Sequence, residues 1–420
     1  MAYSAPRGTK DILPQEVALW QKLEETCRKV FSFYNYQEIR TPIFESTELF
    51  ARSIGKTTDI VNKEMYEFKD RKGRSLTLRP EETAPVVRAC LENNLIGTDK
   101  TTKVYYIGPM FRYERPQAGR QRQFHQAGVE VFGSADPMID AEVIMMNVRL
   151  FEELGLKDLG VNINSVGCAK CRPDYLKKLK SFFKDNIKNM CEDCQNRFIT
   201  NPLRILDCKQ SKCQIYLDDA PHSVESLCQE CGGSFDQVLD LLGDSGLKYN
   251  VNKRLVRGLD YYTKTTFEIT SNQLGAQNAV SGGGRYDKLV EELGGKAIPA
   301  VGFAIGLERI IELINNQQLT INNDGAVKLY IAALGNEARK VGFDLINQAR
   351  AGGISADMDY LGKSLKAQMK TADRVGAKYV YIIGEAELAK KSAVLKEMKT
   401  GEQIELEFSA LLEKLKSETA

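Results

Sequence analysis

Arg112, Glu114, Gln126 and Glu130 are the residues of this chain whose types and spacing most clearly suit chemistry. They belong to the stretch Val104 to Gly133, VYYIGPMFRYERPQAGRQRQFHQAGVEVFG, where two aromatic-rich runs alternate with period two around a proline- and glycine-broken, arginine-rich tip. That pattern predicts an antiparallel hairpin with a long loop. Side chains two apart on a strand share a face, so Met110, Arg112 and Glu114 lie together, as do Gln126, Gly128 and Glu130. A guanidinium, an amide, a carboxylate and a gap without a side chain suit a small zwitterion beside a phosphate better than they suit a core. The tip adds Arg115, Arg120 and Arg122 with Gln117, Gln121 and Gln123 between them, donors matched to phosphates and base edges. A solvated hairpin with ordinary surface arginines would show the same spacing.

A second constellation is built from sulfur. Eight of the ten cysteines fall between Cys168 and Cys231, while Cys27 and Cys90 stand apart. Cys168-x2-Cys171 and, after nineteen residues, Cys191-x2-Cys194 have zinc-ribbon spacing, and Cys208-x4-Cys213 with Cys228-x2-Cys231 could supply a second set of four thiolates. Clustering of this kind points to metal rather than disulfides in an intracellular chain, and spacing does not fix which pairs combine. Tetrahedral Zn2+ sites would stabilise a small insertion, residues 168–234, that reads as poor in large apolar side chains. A fold that merely tolerates cysteine is the competing reading. His125 and His222 lack a third partner for nucleophilic catalysis and read as structural.

The 420 residues suffice for two or three domains with real cores. A net charge of +2 leaves any nucleic-acid binding to local patches. The start, MAYSAPRGTKD, has no apolar segment, and no apolar run reaches the roughly 18 residues that a membrane span needs. The expectation is a soluble, cytoplasmic protein.

The elements that must position these groups follow in order. Pro14 suits the first turn of a helix whose apolar positions, Val17, Trp20, Leu23, Cys27, Val30 or Phe31, and Tyr34, recur at helical spacing. Ile39 to Glu45 is extended, with Pro42 excluded from a central strand. Met65 to Phe68 and Leu76 to Arg79 flank an Asp70 to Gly73 turn, and Thr83 is placed to cap a helix through Val86, Val87 and Leu91. Asp140 to Leu154 reads as helix and Leu159 to Ile163 as strand. Leu255 to Thr270 is β-branched and aromatic enough for a strand pair or one long bent strand. Ser281 to Asp287 reads as a glycine turn before a helix, and Pro299 to Arg309 as strand running into helix. Beyond a polar linker at 321–326, strand-like runs alternate with helices over 327–420, the pattern of a separate α/β domain with parallel strands. There Lys363, Lys366, Lys370 and Arg374 recur at three and four, a basic stripe of the kind that is usually only solvated.

The wording of several stretches goes beyond spacing. Phe111-Arg112-x-Glu114, the loop and the return strand Arg122 to Gly133 closely resemble motif 2 of class II aminoacyl-tRNA synthetases, specifically that of the histidyl-tRNA synthetase family. Arg257-Gly258-Leu259-Asp260-Tyr261-Tyr262 matches the signature of that family, Pro299 to Arg309 resembles motif 3, and the first helix with its Pro42 strand resembles motif 1 more loosely. The resemblance covers nearly the whole chain. It implies an α+β fold: a class II antiparallel sheet flanked by helices over residues 1–320, a small inserted domain, and a C-terminal α/β anticodon-binding domain.

The activity so implied is that of a histidine-tRNA ligase. L-Histidine attacks the ATP α-phosphate to give histidyl-adenylate and pyrophosphate, and the histidyl group then passes to the 3′ end of tRNA(His). Arg112, Arg257 and Arg309 would be catalytic together with Mg2+, orienting the reactants and stabilising charge. Arg112, Glu114, Arg120 and Arg309 would bind ATP, with Arg309 at the γ-phosphate and adenine. Glu81 and Thr83 would hold the substrate ammonium, with Gln126, Arg257 and Tyr261 alongside. Glu130 and Tyr262 would read the two imidazole edges, and Tyr286 would close the pocket. Relatives usually carry glycine where this chain has Glu82, whose side chain is expected to point away from the pocket. Gln117 and Arg122 would meet the tRNA acceptor end, the basic stripe would be a candidate tRNA contact, and motif 1 would form a homodimer interface.

Two other classes compete. A synthetase-like regulatory subunit of histidine biosynthesis keeps the fold, but typically lacks the C-terminal domain and erodes the motifs that are intact here. A zinc-dependent nucleic-acid-binding protein accounts for the cysteines and the basic stripe but not for the convergent polar face.

Overall fold

The computed structural model describes residues 3–55, 58, 60–116, 119–275, 278–319 and 327–417. The chain separates into two compact units, Met1–Ile321 and Asn322–Ala420. The expected linker at 321–326 lies outside the described residues.

The strands of the first unit are, in chain order, β1 (Gln37–Glu38), β2 (Phe44–Ser46), β3 (Tyr66–Lys69), β4 (Ser75–Leu78), β5 (Thr102–Phe111), β6 (Gln123–Phe132), β7 (Leu159–Ser165), β8 (Asn250–Val251), β9 (Thr263–Ser271), β10 (Ala279–Arg285) and β11 (Ala300–Gly306). Eight of them form one sheet of order β1-β5-β6-β11-β10-β9-β7-β8, and β2-β4-β3 form a small separate sheet. The large sheet is antiparallel except at its ends, where β1 joins β5 and β8 joins β7 in parallel.

Alternation explains why this sheet has a chemical face. Ala127, Val129 and Val131 of β6, Val301, Phe303 and Ile305 of β11, and Phe267 and Ile269 of β9 all enter the main apolar core. That core is completed by helices Pro14–Phe33, Pro137–Glu153, Gln229–Asp244 and Leu307–Asn316, through residues such as Leu23, Phe31, Ile144, Leu242 and Leu313. The intervening residues Gln126, Gly128 and Glu130, Gly302, Ala304 and Gly306, and Thr266 and Glu268 therefore share the opposite face. A one-residue slip of β6 would exchange the two sets, losing about 1.5–3 kcal/mol for each large apolar side chain expelled. Register is thus fixed by the core, and the core in turn presents the polar row.

Three local expectations are corrected. Leu255 to Tyr262 is not strand, since β9 begins only at Thr263. The Tyr262 carbonyl there accepts from the Arg172 side chain at 2.5 Å instead of joining a ladder. Ser281 to Arg285 is not a turn but the middle and end of β10, lying between β9 and β11. Thr83 does not cap its helix, Thr83–Glu92. Glu82 holds that position, while the Glu81 carboxylate accepts from the Thr83 and Ala84 backbone N–H groups at 2.8 and 3.0 Å. A fourth correction concerns the insertion, which has an apolar cluster of its own that includes Tyr175, Leu179, Phe183, Met190, Ile205 and Leu217.

The second unit contains β12 (Leu329–Ala333), β13 (Ala356–Met358), β14 (Tyr379–Ile383), β15 (Ser392–Glu397) and β16 (Gln403–Glu407), in the order β13-β12-β14-β15-β16. The first three are parallel, as the alternation with helices requires, and an antiparallel β15–β16 hairpin extends the sheet. Helix Leu365–Arg374 buries Gln368 and Ala372 and leaves Lys366, Lys370 and Arg374 exposed, with exposed Lys363 just ahead of it. Among the described residues no helix is long and apolar enough to cross a membrane.

Candidate active site

Arg112, Glu114, Arg120, Gln126, Arg257 and Arg309 line a single cleft of ≈ 770 Å³ on the polar face of the large sheet. Each guanidinium has a protein anchor. Arg112 donates Nε to the Pro80 carbonyl at 2.9 Å and lies over the Phe124 ring, 5.1 Å from its centroid. Arg120 pairs with Glu114 at 2.8 Å. Arg257 pairs with Glu268 at 2.6 Å, and Arg309 donates to the Ala279 carbonyl at 2.5 Å. Burial, followed by the like charge of Arg120, pulls the Arg309 pKa below its ordinary value. Among the described residues, the Nε of Arg257 and the Oε1 of Gln126 are buried without a hydrogen-bond partner, as groups that await a ligand would be.

Glycines let these side chains lie flat on the sheet. A Cβ at Gly282 would strike the Arg257 guanidinium, and one at Gly302 would strike the Glu130 carboxylate. Both strands therefore carry glycine where a sheet interior normally disfavours it, because side chains pack onto the bare backbone.

Beside the cleft lies a buried polar cluster, the slot, around Glu130. Glu130 is almost fully buried, accepting from the Thr83 hydroxyl at 2.7 Å through one oxygen and from the Tyr286 hydroxyl through the other. Burial pushes its carboxyl up to about 8, against the lowering effect of those two donors. Tyr261 packs against Tyr262 and Tyr286, with ring centroids 4.8 and 5.6 Å apart. The phenols of Tyr261, Tyr262 and Tyr286 are all raised by burial first. Glu130 is thus met by Thr83 and Tyr286, and its expected counterpart Tyr262 interacts with Arg257 and Tyr261. Glu81, whose carboxyl is also raised by burial, spends both oxygens on the start of its helix.

Glu82 accepts from Arg79 at 2.8 Å and from the Thr41 hydroxyl at 2.6 Å. Burial pushes its carboxyl up to about 7. His125 is bound by Glu308 through both its backbone N–H and Nδ1 and lies edge-on to Trp20, a packing role. Arg122 stacks on Tyr113, 3.8 Å from the ring centroid, and does not line the cleft. Gln117 lies outside the described residues.

Set against known proteins, the sequence matches the profile of the histidyl-tRNA synthetase family over residues 8–171 and 208–310, and an anticodon-binding domain profile over 328–418. It is 51% identical to a histidine-tRNA ligase of Halothermothrix orenii over 99% of each chain. It is 53% identical to another from Desulfitobacterium hafniense, over 97% of this chain and 96% of that one. The chain belongs to the histidyl-tRNA synthetase family. Its structure is similar to the crystal structure of apo histidyl-tRNA synthetase from S. aureus, with a TM-score of 0.84 at 40% identity, over 99% of this chain and all of that one.

Residues 172–207, part of the cysteine-rich insertion, fall between the two matched segments. All eight of its cysteines are free thiols, and they form two tetrads. Cys168 and Cys171 join Cys228 and Cys231, while Cys191 and Cys194 join Cys208 and Cys213. The pairing is therefore nested, a point that the spacing alone left open.

Sequence reasoning missed Glu268, Phe124 and Tyr106. Glu268 and Gly282 are cross-strand neighbours, so the partner of Arg257 could be found only once the register was known. Tyr106 pairs with Gly128 and sets its hydroxyl over that glycine. It is an even-numbered strand residue on the same face as Glu130, and the alternation rule would have found it.

Proposed function

We propose that this chain activates L-histidine with ATP and esterifies it to the 3′ end of tRNA(His), with Arg112, Arg257 and Arg309 as catalytic residues. One observation carries the reading: three guanidinium groups far apart in sequence line one cleft next to a buried carboxylate slot. The cleft suits ATP. Arg112 and Arg257 would bracket the α-phosphate, and Arg309, with Arg120, the distal phosphates. The Mg2+ that accompanies ATP takes one or two carboxylates plus phosphate oxygens, and Glu114 and Glu268 are acids of this cleft that could provide them. When bound, the ion neutralises phosphate charge.

The slot suits an imidazole. Glu130 would accept from one ring nitrogen and the Tyr262 hydroxyl would meet the other, with Thr83 and Glu81 at the ammonium, Gln126 and Tyr261 alongside, and Tyr286 behind. With the histidine carboxylate held against the α-phosphate, attack needs no covalent enzyme intermediate. Catalysis is then orientation plus charge stabilisation by fixed donors.

Further assignments follow. Arg122, and Gln117 by its position in the loop, would meet the acceptor end of tRNA, and Lys363, Lys366, Lys370 and Arg374 would be a further tRNA contact. The motif 1 region would make a homodimer, because Ile43, Phe44 and Phe68 form an exposed apolar cluster there. The eight insertion cysteines would hold structural Zn2+. The reaction belongs in the cytoplasm, with the tRNA pool.

Exchange of labelled pyrophosphate into ATP tests the function. Exchange with histidine alone among the amino acids, followed by transfer to tRNA(His), is expected. Fold without exchange would favour a regulatory role.

A further inference from the structure

We propose that the insertion binds two Zn2+ ions, one in each nested cysteine tetrad, and that these ions fix the Arg257–Tyr262 loop through Arg172 and Asn201. The importance of that loop rests on the function proposed above, but the metal sites do not.

The sulfur geometry is that of mononuclear sites. Cys168 Sγ lies 3.8 Å from Cys171 Sγ and 3.9 Å from Cys228 Sγ, and Cys191 Sγ lies 3.7 Å from Cys208 Sγ. Zinc–sulfur bonds of about 2.3 Å in a tetrahedron give a sulfur–sulfur edge of about 3.8 Å. Backbone donors support both tetrads: the Cys168 N–H points at Cys171 Sγ and the Cys191 N–H at Cys213 Sγ, each at 3.2 Å. Gly167, with φ of +67°, makes the tight turn, and a Cβ there would crowd Cys171 Sγ. Cys194, Cys208 and Cys213 are buried within the apolar cluster of the insertion, where a set of bare thiols would bring little stability.

Each site reaches the loop. Arg172, next to Cys171, donates to the carbonyls of Val166 and Gly167 and to that of Tyr262. Asn201, between Cys194 and Cys208, donates to Asp260 at 2.5 Å. Two carbonyl or carboxylate anchors in the loop, Tyr262 and Asp260, are thus held by residues whose own positions depend on the cysteine tetrads. Arg172 and Asn201 are positioning residues; neither is placed among the groups that would touch substrate.

The test uses the full chain. Metal analysis should find two zinc ions per chain, and Co2+ substitution should give the absorption of tetrahedral tetrathiolate sites. The double variant Cys171→Ser/Cys231→Ser should keep one such site, and Cys171→Ser/Cys194→Ser should keep none. Sequential pairing would reverse those two results and overturn the nesting, and absent metal or bound iron would overturn zinc. Asn201→Ala, with both metals retained, should speed amide exchange across residues 257–262 about tenfold, the loss expected for one hydrogen bond to a charged group. It should also raise the KM for histidine more than it lowers kcat. Unchanged exchange in that segment would sink the coupling. A chain that lacks metal yet exchanges pyrophosphate with histidine would refute this inference alone, and a two-zinc chain without exchange would refute only the function.

Discussion

The carboxylates of Glu81 and Glu130 already have partners in the slot before any ligand arrives, whereas in the adjoining cleft Arg257 Nε and Gln126 Oε1 have none. The slot is a prebuilt polar network in a desolvated place, where recognition means exchanging one good hydrogen bond for another. The cleft is open and charged, its arginines each anchored by a protein partner. Selectivity should therefore reside in the slot and rate in the cleft.

The sharpest way to break this division is Arg257→Ala, which should lower kcat for histidine-dependent exchange by roughly 10²–10³, as removal of a preorganised donor does elsewhere. A main effect on histidine KM would instead place Arg257 with the slot. Glu130→Gln should act on the other side, lowering kcat/KM for histidine about tenfold to a hundredfold while leaving ATP KM within about twofold.

The pH dependence sharpens the same point. Burial pushes the Glu130 carboxyl up to about 8, so below that pH its neutral form predominates and an imidazole N–H meets a weaker, uncharged acceptor. The kcat/KM for histidine should rise with pH toward about 8, and Glu130→Gln should remove that rise. Stability runs the other way. A carboxyl raised by folding contributes stability that is complete below its ordinary value of 4.5 and lost as pH climbs through about 8.

Smaller effects are expected away from both. Arg122→Ala should slow transfer to tRNA by about tenfold, one charged hydrogen bond's worth, with adenylate formation nearly unchanged. Equal loss in both half-reactions would contradict the role proposed for Arg122. Lys366→Ala should weaken tRNA binding severalfold and reduce its salt slope by about 0.7, the loss of one phosphate contact.

Much of this was legible in the sequence because the period-two alternation of β5 and β6 fixes which residues share a face, and the motif wording supplies their roles. What escaped was non-local. Glycines 282 to 284 read as a turn because glycine usually punctuates chains, and nothing nearby in sequence shows that Arg257 lies across one of them. Aromatic residues around Tyr262 read as strand because propensity ignores the Arg172 side chain that captures the Tyr262 carbonyl. Spacing likewise left the pairing of the cysteines open, whereas the fold brings the first pair to the last.

The central claim is that the three arginines surround one nucleotide beside a slot that reads imidazole. A crystal structure with a non-hydrolysable histidyl-adenylate analogue measures this directly. The account predicts the Arg112 and Arg257 guanidinium groups within hydrogen-bond distance of the phosphate mimic, Arg309 against adenine, and the imidazole on Glu130. An analogue whose imidazole lies outside that slot, or whose phosphate mimic meets neither Arg112 nor Arg257, would contradict it.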